Sequence, residues 1–295
     1  MNVSIVIGTR NRPESLRRCL ESIARQTRLP AEVLVVDDGA LDPCAALAPL
    51  QGTGILGRYF NKSATPGLTK SRNLGIREST GDVVMFLDDD VVLDRGYVEA
   101  IARVYEAHPE AAGVGGRLLG GLPSWPKRVF LRTFLLDAAD DGRVLPNGIG
   151  VLIRTIDRVT RVEWFSGCNM SFRRNVFDHV MFDEDFAGNG WGDDRDFSYT
   201  VSRRRTLLAA PDATLWHLED PRARASQRDF GAVEILYVAR FFAKHMPPHW
   251  PNRLALWWSF AGILARNLVT ARWAAAAGNL AGMRGVASGS GRPTP

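Results

Sequence analysis

Cysteine is scarce in this 295-residue chain, with three residues, Cys19, Cys44 and Cys168. Their separations match none of the short ligand spacings of structural zinc sites. An odd, sparse count argues against a disulfide framework and for reduced thiols in a cytoplasmic setting. A secretory leader is not expected either, because MNVSIVIG enters a strand pattern at once, with no basic start and no long apolar core. The C-terminal stretch 254–265 (LALWWSFAGILA) has 12 uncharged residues between Arg253 and Arg266, too few to span a bilayer unaided. Two nucleotide signatures are missing. The turn IGTRNR has one glycine where a dinucleotide fold needs G-x-G-x-x-G, and no Walker A sequence occurs. Finally, residues 235–295 contain no Asp or Glu, against six Arg and one Lys.

That last absence decides where the charge lies. The chain carries 37 basic and 32 acidic residues, a net of +5. Setting aside the seven basic residues of 235–295 leaves 30 against 32, a net of −2. All the excess positive charge sits in the tail, which suits an anionic surface as partner for the tail and not for the core. A nucleic-acid partner is not expected. At 45% hydrophobic and 23% charged, the composition is that of one large α/β domain or two small ones.

The pattern alternates. Residues 3–8 (VSIVIG), 32–36 (EVLVV) and 83–87 (VVMFL) are largely apolar runs of strand length, and 55–60 (ILGRYF) is a plausible further strand. Between the first two, Pro13 suits a first helical position and Glu14 the positive helix start. Leu16, Cys19, Leu20 and Ile23 then recur at helical spacing. Helices are also expected over 67–79 and 96–108, and a strand over 113–119. Strand, helix, strand implies parallel pairing with right-handed crossovers, and so a doubly wound α/β sheet. Residues 120–160, rich in Pro and Gly, read as an excursion that builds a second binding face. Residues 163–172 (EWFSGCNMSF) suggest a strand with a glycine break, and 197–204 a helix with acidic residues at its start.

In such a sheet ligands bind beyond the carboxyl ends of the strands. Three candidate groups fall there: Gly8-Thr9-Arg10, Asp37-Asp38-Gly39 and Asp88-Asp89-Asp90. The last ends a strand buried on both faces. Three adjacent carboxylates repel one another unless water or a cation compensates them. A D-x-D set offers hard oxygen ligands suited to Mg²⁺ or Mn²⁺, commonly shared with substrate phosphates. Each group also has a plain structural reading. The acidic triplet could be a solvated turn, Asp38 an Asx turn closed by Gly39, and Asp193 or Asp194 a helix cap. His217 (in PDATLWHLE) is a lone histidine of the kind that usually makes a structural hydrogen bond.

Taken together, the ordered pieces SIVIGTRNRPESLRRCLESI, EVLVVDDG, KSRNLGI, GDVVMFLDDD, SGCNMSFRR, FDEDFAGNGWGDDRDFSYTVSRR and PDATLWH resemble the family-2 glycosyltransferases of the GT-A fold. They cover roughly residues 3–217. The resemblance implies a Rossmann-like, mostly parallel sheet flanked by helices, with a helical C-terminal extension. It also implies a nucleotide-sugar donor, a divalent metal (Mn or Mg) and transfer with inversion. Position by position it puts Thr9, Arg10, Asp38, Arg72, Asp88 and Asp89 around the donor. Asp90, Asp88 and His217 fall at the metal, and Asp194 at the general base, with Asp193 as the alternative. The family usually has Glu-Asp where this chain has Asp193-Asp194, and no glycine stands between Arg203-Arg204-Arg205 and Leu207.

The expected division is 1–120 for donor and metal, 121–220 for acceptor and base, and 221–295 as a basic helical extension with a disordered end from 288. The acceptor is a glycan, a lipid-linked sugar or a small molecule. Trp250, Trp257, Trp258 and Trp273 among arginines suit an interfacial helix at an anionic membrane surface, peripheral to the inner face of the cell membrane. The alternative is a helix packed on protein. Two competing functions are a sugar-phosphate nucleotidyltransferase, from the faint echo of Gly8-Thr9-Arg10 and Pro13, and a non-catalytic sugar-nucleotide binder.

Overall fold

A computed structural model describes residues 1–186, 191–218 and 226–289. The glycine run 188–190, and most of the end expected to be disordered, lie outside the described residues. The chain divides into two compact units, residues 1–121 with 152–219, and residues 122–151 with 220–295. Residues 122–151 of the excursion thus group with the C-terminal helices, while 152–160 stay with the first unit.

The first unit is a nine-stranded sheet. The strands are β1 Val3–Thr9, β2 Glu32–Asp37, β3 Leu56–Asn61, β4 Val83–Asp88, β5 Val91–Leu93, β6 Ala111–Leu119, β7 Thr160–Val162, β8 Met170–Arg173 and β9 Thr206–His217. Their order is β3-β2-β1-β4-β8-β6-β9-β5, with β7 also on β9. The pairings β1–β2, β1–β4, β2–β3 and β6–β9 are parallel. β8 runs antiparallel between β4 and β6, and β5 and β7 run antiparallel to β9. Six of the nine strands thus share one direction. Helices α1 Pro13–Ala24, α2 Pro43–Leu47, α3 Leu68–Glu78, α4 Tyr97–Ala107 and α6 Asp193–Ser202 belong to this unit.

The continuous apolar runs in β1, β2 and β4 are explained by burial on both faces. Alternate residues point opposite ways. Ile5, Ile7, Met85 and Leu87 pack with Leu16, Ile23 and Ile101 of α1 and α4. Val6, Val84 and Phe86 pack on the other face with Ile76, Phe172, Phe182 and Phe197. Phe182 and Phe197 stack at 4.2 Å, and Phe86 meets Phe182 edge-on at 5.3 Å.

Two expectations shift here. The stretch 163–172 is not one strand: β7 ends at Val162 and β8 starts at Met170. The turn between them closes with Asn169 N–H on the Ser166 carbonyl at 2.9 Å. It is held by Asn169 Oδ1, which accepts from the Tyr97 hydroxyl at 2.5 Å and the Gly116 N–H at 2.8 Å. The helix expected from 197 starts four residues earlier, so Asp193 and Asp194 lie in its first turn.

The second unit is helical. It holds α5 Trp125–Thr133, α7 Gln227–His245, α8 Trp250–Val269 and α9 Trp273–Ala287. α7 and α9 pack backbone to backbone. A Cβ on Gly278 would lie 2.0 Å from the Arg228 carbonyl oxygen, so the approach requires glycine there. Asn279 donates to the Gly231 carbonyl at 2.8 Å, and Asn267 of α8 donates to Asn279 at 2.7 Å. One guanidinium nitrogen of Arg266 donates to both carboxylate oxygens of Glu234, at 2.9 and 2.8 Å. Phe134, just past α5, stacks on Trp258 at 4.9 Å. Among the described residues no helix is long and apolar enough to cross a membrane.

Candidate active site

The carboxyl ends of β1, β2 and β4 carry the three groups that the sequence singled out. β4 ends at Asp88, and Asp89-Asp90 turn the chain into β5. β5 pairs with the end of β9 in the register Val91↔His217. Leu218 N–H donates to the Asp90 carbonyl at 2.9 Å. This register, which no local pattern announces, brings a histidine from the far end of the chain to the acidic turn. His217 Nε2 is 3.0 Å from Asp90 Oδ1 and 4.0 Å from Asp88 Oδ2.

The three aspartates differ sharply. Asp88 is partly open, and burial of its surroundings raises its pKa although Arg72 opposes this. Asp89, expected against the donor, is fully buried and turned inward. It accepts from the Thr9 hydroxyl at 2.6 Å and pairs with Arg12 at 2.7 Å. Burial pushes its pKa up to about 7 against the pull of Arg12 and Thr9. Its place explains Thr9 as well: the hydroxyl ties β1 to the acidic turn. Asp90 pairs with the same Arg12 at 3.1 Å. Arg12 was not singled out, because an arginine before a helix looks like any solvated charge. Arg10 is exposed at the end of the same region.

The Asx turn after β2 exists, but Asp37 makes it. Its carboxylate accepts from Gly39 N–H at 2.7 Å, Leu41 N–H at 2.8 Å and the Tyr59 hydroxyl at 2.7 Å. Asp38 is thereby released to face α3. It accepts from Gly67 N–H at 2.7 Å and the Ser71 hydroxyl at 3.1 Å, and pairs with Lys62 at 2.7 Å.

Three consecutive residues of α3 then reach three parts of the site, since neighbours on a helix diverge by about 100°. Ser71 meets Asp38. Arg72, buried, pairs with Asp193 at 2.5 Å and lies 3.6 Å from Asp88. It also donates to the Gly167 carbonyl at 3.3 Å, with its guanidinium 5.4 Å from the Phe182 ring centre. Asn73 exchanges hydrogen bonds with the backbone of Phe182 at 2.9 and 3.0 Å.

The acidic pair at the start of α6 divides in the same way. Asp193 is buried under Arg72, and burial pushes its pKa up to about 7 although Arg72 opposes it. Asp194 is half-buried and accepts from Gly167 N–H at 2.7 Å. Gly167 is required by crowding, because a Cβ there would stand 2.4 Å from the Arg72 guanidinium and 3.2 Å from Asp194 Cβ.

One residue corrects the reading of the cysteines. Cys168 has no ligand spacing in sequence, yet Asp88, Cys168 and His217 present ligand atoms within 4.8 Å of one another. Burial works against charge on His217. Its hydrogen bonds to Asp90 and Cys168, with the charge of Asp88, win and push it up to about 11. The acidic turn thus gathers two carboxylates and a protonated imidazole, a donor once a cation displaces its proton, with a thiol beside them. A divalent cation fits such a set.

Comparison with known proteins agrees with this architecture. The sequence profile described as glycosyl transferase family 2 matches residues 4–181. An uncharacterized glycosyltransferase of Bacillus subtilis is 27% identical over 251 residues, covering 83% of this chain and 84% of that one. The glucosyl-dolichyl phosphate glucuronosyltransferase of Haloferax volcanii is 30% identical over 182 residues, or 60% of this chain and 54% of that one. The chain thus spans most of the first relative and about half of the second. A mannosyltransferase of Pyrobaculum calidifontis, solved with GDP-Man and Mn²⁺, superposes with a TM-score of 0.61 at 18% identity, covering 98% of this chain and 86% of that one. With the sheet, the acidic turn and the profile match in agreement, the chain belongs to glycosyl transferase family 2 and is a glycosyltransferase of the GT-A fold.

Proposed function

We propose that the chain transfers a sugar from a nucleoside-diphosphate sugar to an acceptor hydroxyl, with inversion and with a divalent metal. The observation that carries the reading is the bridge made by Arg72. One guanidinium pairs with Asp193 and approaches Asp88, tying the start of α6 to the acidic turn. Asp194, next to Asp193, accepts from Gly167 N–H instead of Arg72 and is the carboxylate left to act as base.

Asp88, Asp90 and His217 would hold the metal, Mn or Mg. When bound, such an ion neutralises the diphosphate as it leaves. The other roles belong to side chains. Asp38, braced by Lys62, Gly67 and Ser71, would hold the nucleoside, with the exposed Arg10 as a further donor-binding residue. Arg72 keeps a buried positive charge near the leaving group. Asp194 accepts the proton of the attacking hydroxyl, and a single in-line attack inverts the anomeric carbon. Asp89 and Thr9 act through the shape of the turn. A glycosidase would need one protonated carboxylic acid and no metal, which the donor set at the turn does not favour.

The acceptor is a glycan, a lipid-linked sugar or a small molecule. The name of the Haloferax relative, a dolichyl phosphate glucuronosyltransferase, favours the lipid-linked class. The basic C-terminal helices suit the same class, because they fit a peripheral place on an anionic membrane.

Calorimetry with a nucleoside diphosphate, with and without Mn²⁺, tests the donor half. Asp90→Ala is expected to abolish the metal-dependent part of the affinity. Unchanged Mn²⁺-dependent binding removes Asp90 from the ligand set. Release of nucleoside diphosphate from a nucleotide sugar separates transfer from the two competing functions, since a nucleotidyltransferase exchanges pyrophosphate instead and a binder does neither.

A further inference from the structure

The thiol of Cys168 has no part in sugar transfer as derived above, yet it sits at the centre of the site. Cys168 is buried, at 1% exposure, at the mouth of β8. Asp88 ends β4, and His217 ends β9. Three strand ends thus bring one carboxylate, one thiol and one imidazole within 4.8 Å of one another.

We propose that Asp88, Cys168 and His217 form a thiophilic cation site, which takes zinc in place of the hard ion of the donor complex.

The argument rests on ligand chemistry. A mixed O, N and S set with three protein ligands and an open fourth position is the composition of tetrahedral zinc sites, not of octahedral magnesium. Zinc–ligand bonds of about 2.0–2.3 Å hold donors about 3.3–3.7 Å apart, so the present spread closes by roughly an ångström. Asp88 has that freedom, with its side chain 30% exposed. Binding converts the thiol to a thiolate and the His217 imidazolium to a neutral imidazole, and both protons leave to solvent. The hard ion uses Asp90, and it shares Asp88 and His217 with the zinc arrangement, so the two ions exclude each other. Thiolate ligation does not depend on the donor-metal reading, whereas the exclusion rests on it.

The other two thiols set the controls. Cys44 is exposed and would take metal adventitiously, so the parent chain for the test carries Cys44→Ser. Cys19 is buried and donates weakly to the Asp88 carbonyl at 3.6 Å, so Cys19→Ser tests the neighbouring sulfur. Metal-free full-length protein, without nucleotide, is titrated with Co²⁺. The parent and Cys19→Ser should both give a sulfur-to-cobalt charge-transfer band in the near ultraviolet, bleached by Zn²⁺. Cys168→Ser should lack the band and bind Zn²⁺ at least tenfold more weakly. His217→Gln is a second variant for the case in which Cys168→Ser does not fold, and its Co²⁺ affinity should fall at least tenfold. No band in the parent, a band that survives Cys168→Ser, a band lost with Cys19→Ser, or undiminished Co²⁺ affinity in His217→Gln overturns the site. Asp90→Ala keeps the two readings apart. It should leave the sulfur band in place whether or not Mn²⁺-dependent nucleotide binding is lost.

Discussion

Asp193 and Asp194 are adjacent and chemically identical, and their surroundings give them different work. Asp193 faces Arg72 at 2.5 Å and is buried, so it serves as a counter-ion. Asp194 is half-buried and holds Gly167 N–H. Asp194→Asn should therefore keep the fold, because Asn still offers an oxygen to Gly167, and the stability change should stay below about 1 kcal/mol. Sugar transfer should fall about 10²- to 10⁴-fold, the usual loss with a positioned base, while donor affinity holds. Asp193→Asn should show the opposite profile. It removes the nearer of the two carboxylates at the buried guanidinium and leaves Asp88 at 3.6 Å, a loss of about 1.5–3 kcal/mol. Thermal melts and transfer rates on both variants decide the matter. If Asp193→Asn melts like the parent and alone stops transfer, the two roles are exchanged.

The same scale shows what the sequence could and could not disclose. D-x-D after an apolar run was legible because burial of a strand and the end of a strand are both local patterns. Which aspartate does what was not legible, because it depends on Arg12 reaching across from the start of α1 to Asp89 and Asp90. Asp37 and Asp38 are an equal case, since the Asx turn was foreseeable as a type and its owner was fixed by Tyr59 on the neighbouring strand. Cys168 was invisible for the same reason. Its partners come from β4 and β9, and sequence spacing reads only ligands that share one loop.

Among elements, the parallel core was legible from continuous apolar strands and helical spacing between them. The antiparallel insertion of β8 between β4 and β6 was not, since the segment carrying it reads as one strand until the Asn169 turn is seen to divide it. At the opposite edge from the site, Glu32 fastens the strand starts. Its buried carboxylate accepts from the Ser4 hydroxyl at 2.7 Å, Thr80 N–H at 2.6 Å and the Thr80 hydroxyl at 2.8 Å, with Arg58 at 3.4 Å. Burial alone would raise its pKa, but these donors outweigh burial and lower it. A depressed carboxylate contributes stability that is present above its unfolded pKa and is lost as pH falls through the folded value. The parent should therefore lose stability on acidification below the ordinary carboxylate range. Glu32→Gln should be less stable at neutral pH by about 1–3 kcal/mol, with the gap narrowing in acid. Urea melts at neutral and acidic pH read this directly, and a gap independent of pH would show that the carboxylate charge contributes nothing.

At the scale of the whole molecule, the tail was legible as basic, aromatic and helical, but the lengths of its helices and their packing were not. The reading stopped at a 12-residue apolar core, whereas α8 runs for 20 residues and α9 for 15. Their stability comes from packing that sequence pattern does not show, including Asn267 on Asn279 and Arg266 on Glu234, one residue before the acid-free stretch begins. Arg266 is thus occupied and is not part of any lipid-facing charge. Other residues are outward. Trp250 is 75% exposed, Leu254 61%, Val269 81% and Trp273 65%, and Arg253 and Arg272 lie beside them in sequence. Amphipathic aromatics with basic neighbours suit the headgroup layer. The full chain is expected to co-sediment with vesicles rich in phosphatidylserine and not with neutral ones. Basic residues near an anionic surface contribute roughly 1 kcal/mol each, so salt should weaken the binding. Cutting the chain after α7 would remove Asn279 and Arg266, the partners of Gly231 and Glu234, and unfold the unit, so substitution is the better test. Trp250→Ser with Trp273→Ser, and separately Arg253→Gln with Arg272→Gln, alter side chains that are exposed or, at Arg272, half-buried, and should leave the thermal melt nearly unchanged. Each pair should reduce the bound fraction, and only the arginine pair should flatten the salt dependence. Sedimentation equal to the parent in both double variants would assign these helices to protein packing alone.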